Sequence, residues 1–590
     1  MGFAAQLARL RDAAARTRSY FDRRVADPVI ARVAPKADAN TKLALRTGLF
    51  AFAVLLCGAA VGGAGWILFA PNERVVIVIA DIAGDRHGAW HARVRTAILK
   101  VLGSSATVRD ADETLPREGD IVDKDGERAR DAQAQAIIQR DGAAELIWGE
   151  VSPSGGSAQL FYLPWDGTTR TSNAHRYLRK TALKVDAVPD AGIDDVIALY
   201  AITDAHGRKG QSLGSKAGVA AVAAGVAKRL RDRNIPGATR GELMRAEGIL
   251  ILMQSTKEKG RGRYKRAIAA FHAAMDGISP VTSPFDWVSL RTSDAGMLAA
   301  VGDEEGPVYL RQALAERQQV LAFNSKNRAP LDWGLAERDY AAAQARLADA
   351  LGDSGMQSAA VDSYRAALDA FTENTTPLDW ADTQSEIGSA LRGLSYQTNT
   401  ADPLDPALDA LHLALKERTR ARAPEDWAST ESEIATVERM KAEFGNDPAA
   451  YTAAIAADRD VLTVYTREES PMAWAGGELE LGNVLGDRGK LTKNEKDFTD
   501  AIDAYKAALS NYGPETFPSD YAVTLYDLGI TYRAYANMKH DPALMKEAIA
   551  TLKEAIAVYG KYGFTGGVND SQSVLNGATA DLAQMGPAGK

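Results

Sequence analysis

The sequence predicts an α-solenoid of paired helices, preceded by a small α/β domain and one membrane-spanning helix. Three observations carry this reading: a phrase that recurs every 46 or 47 residues through the C-terminal half, alternating strand and helix patterns before it, and an uncharged apolar stretch near the N-terminus. At 590 residues the chain exceeds what one hydrophobic core holds.

Residues 1–46 form a basic segment. Eight Arg and two Lys against four Asp give +6, which leaves −14 for the rest of a chain of net charge −8. An acidic body argues against general nucleic-acid binding, which needs many cations facing phosphates. Residues 47–70, TGLFAFAVLLCGAAVGGAGWILFA, run 24 positions without a charge, enough for one transmembrane helix. Cations crowd the N-terminal flank, so the positive-inside rule sets the N-terminus in the cytoplasm. In a bacterium this predicts a single-pass inner-membrane protein with its C-terminal domains in the periplasm. Gly58 and Gly62 fit a GxxxG helix contact, a route to a homodimer through the span. The sole cysteine, Cys57, lies in the same stretch, so no disulfide framework or Cys-rich metal site is expected.

Residues 73–185 read as a small α/β domain. RVVIVIADIAG is a β-branched run ended by Gly84 and reads as a buried strand, and HARVRTAILKVLG puts Val94, Ile98 and Leu102 on one helical face. SATVRDAD, ERARDAQAQAIIQRDG, AELIWGEV and AQLFYLPW continue as strand, helix, strand, strand. The order is βαβαββ, with SNAHRYLRKTALKV a candidate for one more strand. This order, with the phrases VIVIADIAG and GAAELIWGEVSPSGGSAQLFYL, resembles the TolB-like N-terminal domain that precedes tetratricopeptide arrays in many bacterial membrane and regulatory proteins. The resemblance implies a module for protein contacts and brings no catalytic residue. Residues 186–237 hold two helical patterns around the flexible HGRKGQSLGS and read as a helical connector.

The repeated phrase is SPFDW, APLDW, TPLDW, APEDW, SPMAW and FPSDY, its aromatic residues being Trp287, Trp333, Trp380, Trp427, Trp474 and Tyr521. In SPFDW and TPLDW the Ser or Thr suits a helix N-cap, Pro the first helical position, and Asp the positive end of the dipole. The aromatic residue is expected to pack inward as a wedge, in preference to forming a ligand cage. Downstream, Ile387, Gly388 and Leu391 are matched by Leu481, Gly482 and Leu485 and by Leu528, Gly529 and Tyr532. A second stripe follows: Ala407, Leu411, Ala414; Ala501, Tyr505, Ala508; Ala548, Leu552, Ala555. Each unit is therefore two helices, the first with a small residue where the second crosses closely.

This pattern resembles the tetratricopeptide repeat (TPR), whose signature includes L-G-x2-Y and a later A-x3-F. The period here departs from the family's 34 residues, and the gap from small residue to alanine is 19 against 12. Seven added residues are almost two helical turns, so the apolar stripe keeps its direction. HEAT-type units share this size range and are the alternative. The register extends upstream through Gly248, Ala267 and Phe271, giving seven TPR-like helix pairs over residues 238–567 and a capping helix and tail over 568–590.

The chemistry sought is mostly not there: no Walker A, HExxH or CxxC pattern occurs. GQSLG around Ser212 matches G-x-S-x-G but lacks the buried strand a nucleophile elbow needs. Asp81, Asp85, His87 and His91 cluster after the first strand. Spacing fixes no third or fourth ligand beside the two histidines, so a polar loop is expected rather than a metal site. No catalytic residue, cofactor or metal is expected. On the first helices the register aligns Arg392, Arg439 and Arg533, with Asn483 near them. In the resembling family the first helices line the groove that holds peptides, which implies a basic ladder for an acidic or C-terminal peptide, weighed against a solvated face paired with local acids. The function expected is a non-enzymatic, membrane-anchored scaffold or adaptor. The competing expectation is a sensory or enzymatic α/β domain, metal- or small-molecule-dependent, whose repeats recruit its target.

Overall fold

The computed structural model describes residues 75–102, 106–116, 124–141, 143, 145–164, 181–186, 191–203, 216–232, 234–253, 261–281, 283–327 and 329–585. The basic segment, the apolar stretch at 47–70 with Cys57, Gly58 and Gly62, and Ser212 lie outside the described residues. Among those described, no helix is long and apolar enough to cross a membrane.

Five strands form one sheet: β1 (Val75–Ala83), β2 (Ala106–Thr114), β3 (Glu145–Val151), β4 (Ser157–Pro164) and β5 (Thr181–Asp186). Their spatial order is β2-β1-β3-β4-β5. β1 runs parallel to β2 and β3, and β3-β4-β5 is an antiparallel meander, with Trp148 opposite Phe161. Helix α1 (Ala89–Leu102) joins β1 to β2, and α2 (Lys124–Asp141) joins β2 to β3. Because β3 lands on the other side of β1 from β2, the two helices cover opposite faces of the sheet. Trp90, Val94 and Ile98 of α1 pack with Ile77, Ile79, Ile147 and Tyr162. On the other face Ile137 and Ile138 of α2 pack with Val78, Leu146, Trp148 and Phe161.

The segment read as a connector is part of this domain. Helices α3 (Ala191–Thr203) and α4 (Lys216–Leu230) bury Ile193, Val196, Ile197, Val222 and Val226 in the α1 side of the core. Two ion pairs, Arg93–Asp194 at 2.8 Å and Lys100–Asp195 at 3.0 Å, tie α1 to α3.

Seven helix pairs follow: α5 (Gly237–Met253) and α6 (Arg261–Met275), α7 (Pro284–Glu305) and α8 (Pro307–Phe323), α9 (Pro330–Leu351) and α10 (Ser354–Ala367), α11 (Pro377–Thr398) and α12 (Leu404–Ala414), α13 (Pro424–Gly445) and α14 (Pro448–Val461), α15 (Pro471–Thr492) and α16 (Glu495–Leu509), α17 (Pro518–Lys539) and α18 (Pro542–Tyr562). A last helix, α19 (Thr565–Met585), packs on the final pair. Each helix contacts its sequence neighbours and the first helices of successive units also meet, which is the connectivity of an α-solenoid.

The six first helices that carry the repeated phrase are each 22 residues long and begin on its proline. Proline fits there because its missing N–H has no partner in the first turn. The residue before it makes no side-chain cap in any of the six, which corrects the expected role of Ser and Thr. The preceding turn is closed by backbone instead, as in Thr376 N to Thr372 O at 3.0 Å. Ser, Ala, Thr or Phe therefore serve equally. Five of these helices end on a left-handed residue at one register position: Gly352, Asn399, Asn446, Lys493 and His540. Second helices start differently, with the side chains of Asp353, Asp447, Asn494 and Asp541 accepting from their first-turn N–H groups.

In four of the pairs the glycine of the first helix sits against the large residue 23 positions later. A Cβ on Gly388 would fall 2.6 Å from Leu411 Cγ, on Gly482 2.8 Å from Tyr505 Cε1, on Gly529 2.7 Å from Leu552 Cγ, and on Gly248 2.5 Å from Phe271 Cε1. The phrase aromatics pack less deeply than expected. Trp287 is buried, while Trp333, Trp380, Trp427, Trp474 and Tyr521 are half-buried. Lys326, Arg420 and Arg467 lie over Trp333, Trp427 and Trp474 at 4.5, 5.6 and 5.3 Å from the ring centres.

Array and sheet share a core. Phe285 at the head of α7 meets Phe161 edge-on at 5.5 Å, on the α2 face of the sheet. Beside it Asp286 is almost fully buried and accepts from Gln159 Nε2 at 3.4 Å. Burial pushes its carboxyl above the usual range, opposed by Arg245 and Lys184.

Candidate protein-interaction face

The first helices form a wall in which each register position repeats down the array. Six residues after the aromatic, the wall carries Asp339, Glu386, Glu433, Glu480 and Asp527, each 47 residues from the last. Twelve residues after it come Arg392, Arg439 and Arg533. One period thus aligns an acidic column and a basic one.

The arginines are engaged with carboxylates two helices on, on the first helix of the next unit or on α19, and Arg439 also with one on its own helix. Arg392 donates to Glu433 at 3.0 Å, Arg439 reaches Asp487 at 3.5 Å as well as Glu443 at 2.8 Å, and Arg533 donates to Asp581 at 2.7 Å. They staple neighbouring first helices. Asn483 accepts from Tyr505 OH at 2.9 Å and lies 3.5 Å from Glu480. A further knot, Arg418 on Asp382 at 2.8 Å with Arg338 3.5 Å from Asp379 and 3.7 Å from Asp382, joins the middle units. The cations of this wall are thereby matched within the chain, and the acidic column is the feature that sequence reading passed over. Its signal was present as a carboxylate at constant 47-residue spacing.

On the preceding second helix, 22 positions before each acid, another position repeats every 47 residues: Arg317, Tyr364, Leu411, Asp458 and Tyr505. Arg317 Nη1 donates to Asp339 at 2.8 Å, and Tyr364 OH donates to Glu386 at 3.1 Å. Asp458 departs from this arrangement. It is 2% exposed, its Oδ2 has no hydrogen-bond partner, and the neighbouring charges that act on it are Glu480 and Arg439. Burial first and Glu480 second push its carboxyl up to about 7. Asp527, half-buried near Glu480 and Asp487, is likewise raised to about 7, by desolvation first.

In the α/β domain, the loop after β1 lies at the strand order's switch point, where open α/β sheets bind ligands. Here Asp85 accepts from Ala89 N at 3.0 Å and His91 N at 2.9 Å, so its carboxylate already occupies the α1 N-terminus. His91 Nε2 pairs with Asp110 Oδ1 at 2.9 Å, Arg95 reaches the same oxygen at 2.6 Å, and His87 and Asp81 are exposed. Among the described residues no three His, Cys, Asp or Glu side chains group to hold a metal ion.

No family model matches the chain, and no curated protein matches it. Solved structures with similar segments include BtubC (BKLC) from P. vanneervenii, at 17% identity over 43% of this chain and 92% of that one, with a TM-score of 0.30. A Rap protein complexed with Competence and Sporulation Factor matches at 10% identity over 67% and 88%, with a TM-score of 0.31. A circular tandem repeat protein matches at 11% identity over 67% and 85%, with a TM-score of 0.21. At those scores the likeness carries no argument, and the repeat architecture rests on this chain's own helices.

Proposed function

We propose that this protein is a scaffold or adaptor that works by binding partner proteins along the first-helix wall, and not by catalysis. The observation that carries the reading is the wall itself: six helices of one length, in one register, present matched columns of charge over several units. Such a surface suits an extended partner segment rather than a small molecule. Residues 47–70 support anchoring by one span with the N-terminus cytoplasmic and the array periplasmic, and Gly58 and Gly62 support pairing through that span.

Photo-crosslinking residues placed at Ser389 and Thr436, half-buried on the wall, test the binding reading in cells. Crosslinks from these positions, and none from Asp362 on the exposed side of α10, are expected; equal crosslinking from both sides overturns it. Reporters fused after Lys590 test the placement, and activity of the cytoplasm-specific reporter alone would refute it.

A further inference from the structure

Of the five left-handed residues that end first helices, four are of types that accept this backbone: Gly352, Asn399, Asn446 and His540. The fifth is Lys493, at φ 57, a long side chain where sister units carry glycine or asparagine. A residue held in a costly conformation points to a use for its side chain. Lys493 lines an open groove of about 580 Å³ at the C-terminal ends of α15 and α17, beside Lys490 and Asn537 and over an apolar floor of Phe498, Ala534 and Met538. The groove continues the wall, because Lys490 lies one turn beyond Gly486, which takes the arginine position of its unit.

The charges around the groove are matched, Lys493 excepted. Lys490 lies 2.9 Å from Asp487, Arg488 holds Asp497 at 2.7 Å, Lys539 and Tyr535 hold Glu495 at 2.8 and 2.7 Å, and Asn537 donates to Asp581 at 3.0 Å. Lys493 is exposed and pairs with no carboxylate among the described residues. One unit upstream, the positions of Lys490, Lys493 and Asn537 are taken by Glu443, Asn446 and Lys490, so the surplus cation is peculiar to this junction.

We infer that this groove receives an acidic segment of a partner protein, an Asp or Glu side chain meeting Lys493 and an adjacent apolar side chain lying on Phe498 and Met538. The ammonium supplies a charge-assisted bond and the floor a place to bury carbon, so one acidic residue beside an apolar one is held in register with the wall. The acidic partner that the arginine column suggests is thus met at the end of the wall, where the cation is uncommitted. This inference rests on the wall being a binding face.

The test screens the full-length protein, solubilised in detergent, against a phage-displayed library of random peptides, and titrates the selected peptides by fluorescence anisotropy at fixed salt. Lys493→Asn installs the residue of Asn399 and Asn446 and keeps the turn, and Met538→Glu puts a carboxylate into the groove; thermal unfolding checks both folds. Selected peptides are expected to carry Asp or Glu beside Leu, Ile, Phe or Met, to bind each variant about fivefold or more weakly, and to ignore Lys493-sized charge removal at exposed Lys553→Asn on α18. Selection of no peptide, selection of peptides without an acid, or indifference to Lys493→Asn overturns it. The scaffold reading is judged apart from this: crosslinks from Ser389 and Thr436 to a partner whose contacting segment lacks Asp and Glu would sink the groove alone.

Discussion

Replacing Asp458 with leucine should make the protein more stable above neutral pH and leave the gain much smaller in acid. The substitution installs the residue that sister positions Leu411 and Leu552 carry. In the folded chain the Asp458 carboxyl sits at about 7 instead of 3.8, through burial and Glu480, with Arg439 opposing. A raised carboxyl pKa means the folded state holds a proton that the unfolded chain has released between about pH 4 and pH 7, so stability falls as pH rises through that window. Three pKa units at about 1.4 kcal/mol each make a penalty of up to about 4 kcal/mol once Asp458 is ionised. Burying a leucine there adds roughly 1.5–3 kcal/mol at every pH. Urea unfolding of wild type and Asp458→Leu, followed by the helical circular dichroism signal from about pH 4 to about pH 8, measures the difference. Asp527 keeps its own pH dependence in both proteins, so the readout is the difference between the two curves. A difference that does not grow with pH, or a variant less stable than wild type above about pH 7, would refute the reasoning.

Other expectations follow from the register. Lys493→Gly and His540→Gly relieve left-handed backbones at φ 57 and 53, and each should raise the urea midpoint by the equivalent of about 0.5–1 kcal/mol, whereas Gly352→Ala at the same position should lower it. Gly482→Ala brings a methyl to 2.8 Å from Tyr505, so a loss of about 1–3 kcal/mol is expected, and in a double-mutant cycle with Tyr505→Ala the two losses should sum to less than their individual values. Arg533→Ala removes the 2.7 Å bond to Asp581; global stability should change by about 1 kcal/mol or less, while amide exchange in α19 speeds up.

The repeat period made most of the array legible. Proline starts, the small residue against a large one 23 positions later, and the number of pairs all follow from spacing alone, because every unit must present the same faces to its neighbours. The role of Ser283, Thr376 and Ser470 was less legible. Their turn closes through backbone groups, and the side chains cap no helical N–H; the Thr376 hydroxyl accepts instead from Thr372 N, back in the turn. The connector was misleading for a related reason. DAGIDDVIALYAIT is apolar around most of its surface, the mark of a helix buried on several sides, and sequence periodicity gives such a helix no single face to assign. At the candidate site, Arg392, Arg439 and Arg533 were found by register, but which carboxylates hold them depends on the helix that stacks next. Asp458 was hidden for the opposite reason: one acid in a column of Arg317, Tyr364, Leu411, Tyr505 and Leu552 reads as noise until its burial is known.

The contact of Phe285 and Asp286 with Phe161 and Gln159 bears on how the molecule divides. A cut near residue 237 would tear Leu243, Ala246 and Leu250 of α5 from the layer above the sheet and strip the aromatic cover from its other side. Neither fragment would keep a complete interior, so the two regions cannot be exchanged like beads on a string. A load taken up by the helical part would be felt by the strands, which makes the small module a fixed footing for the array rather than a passenger.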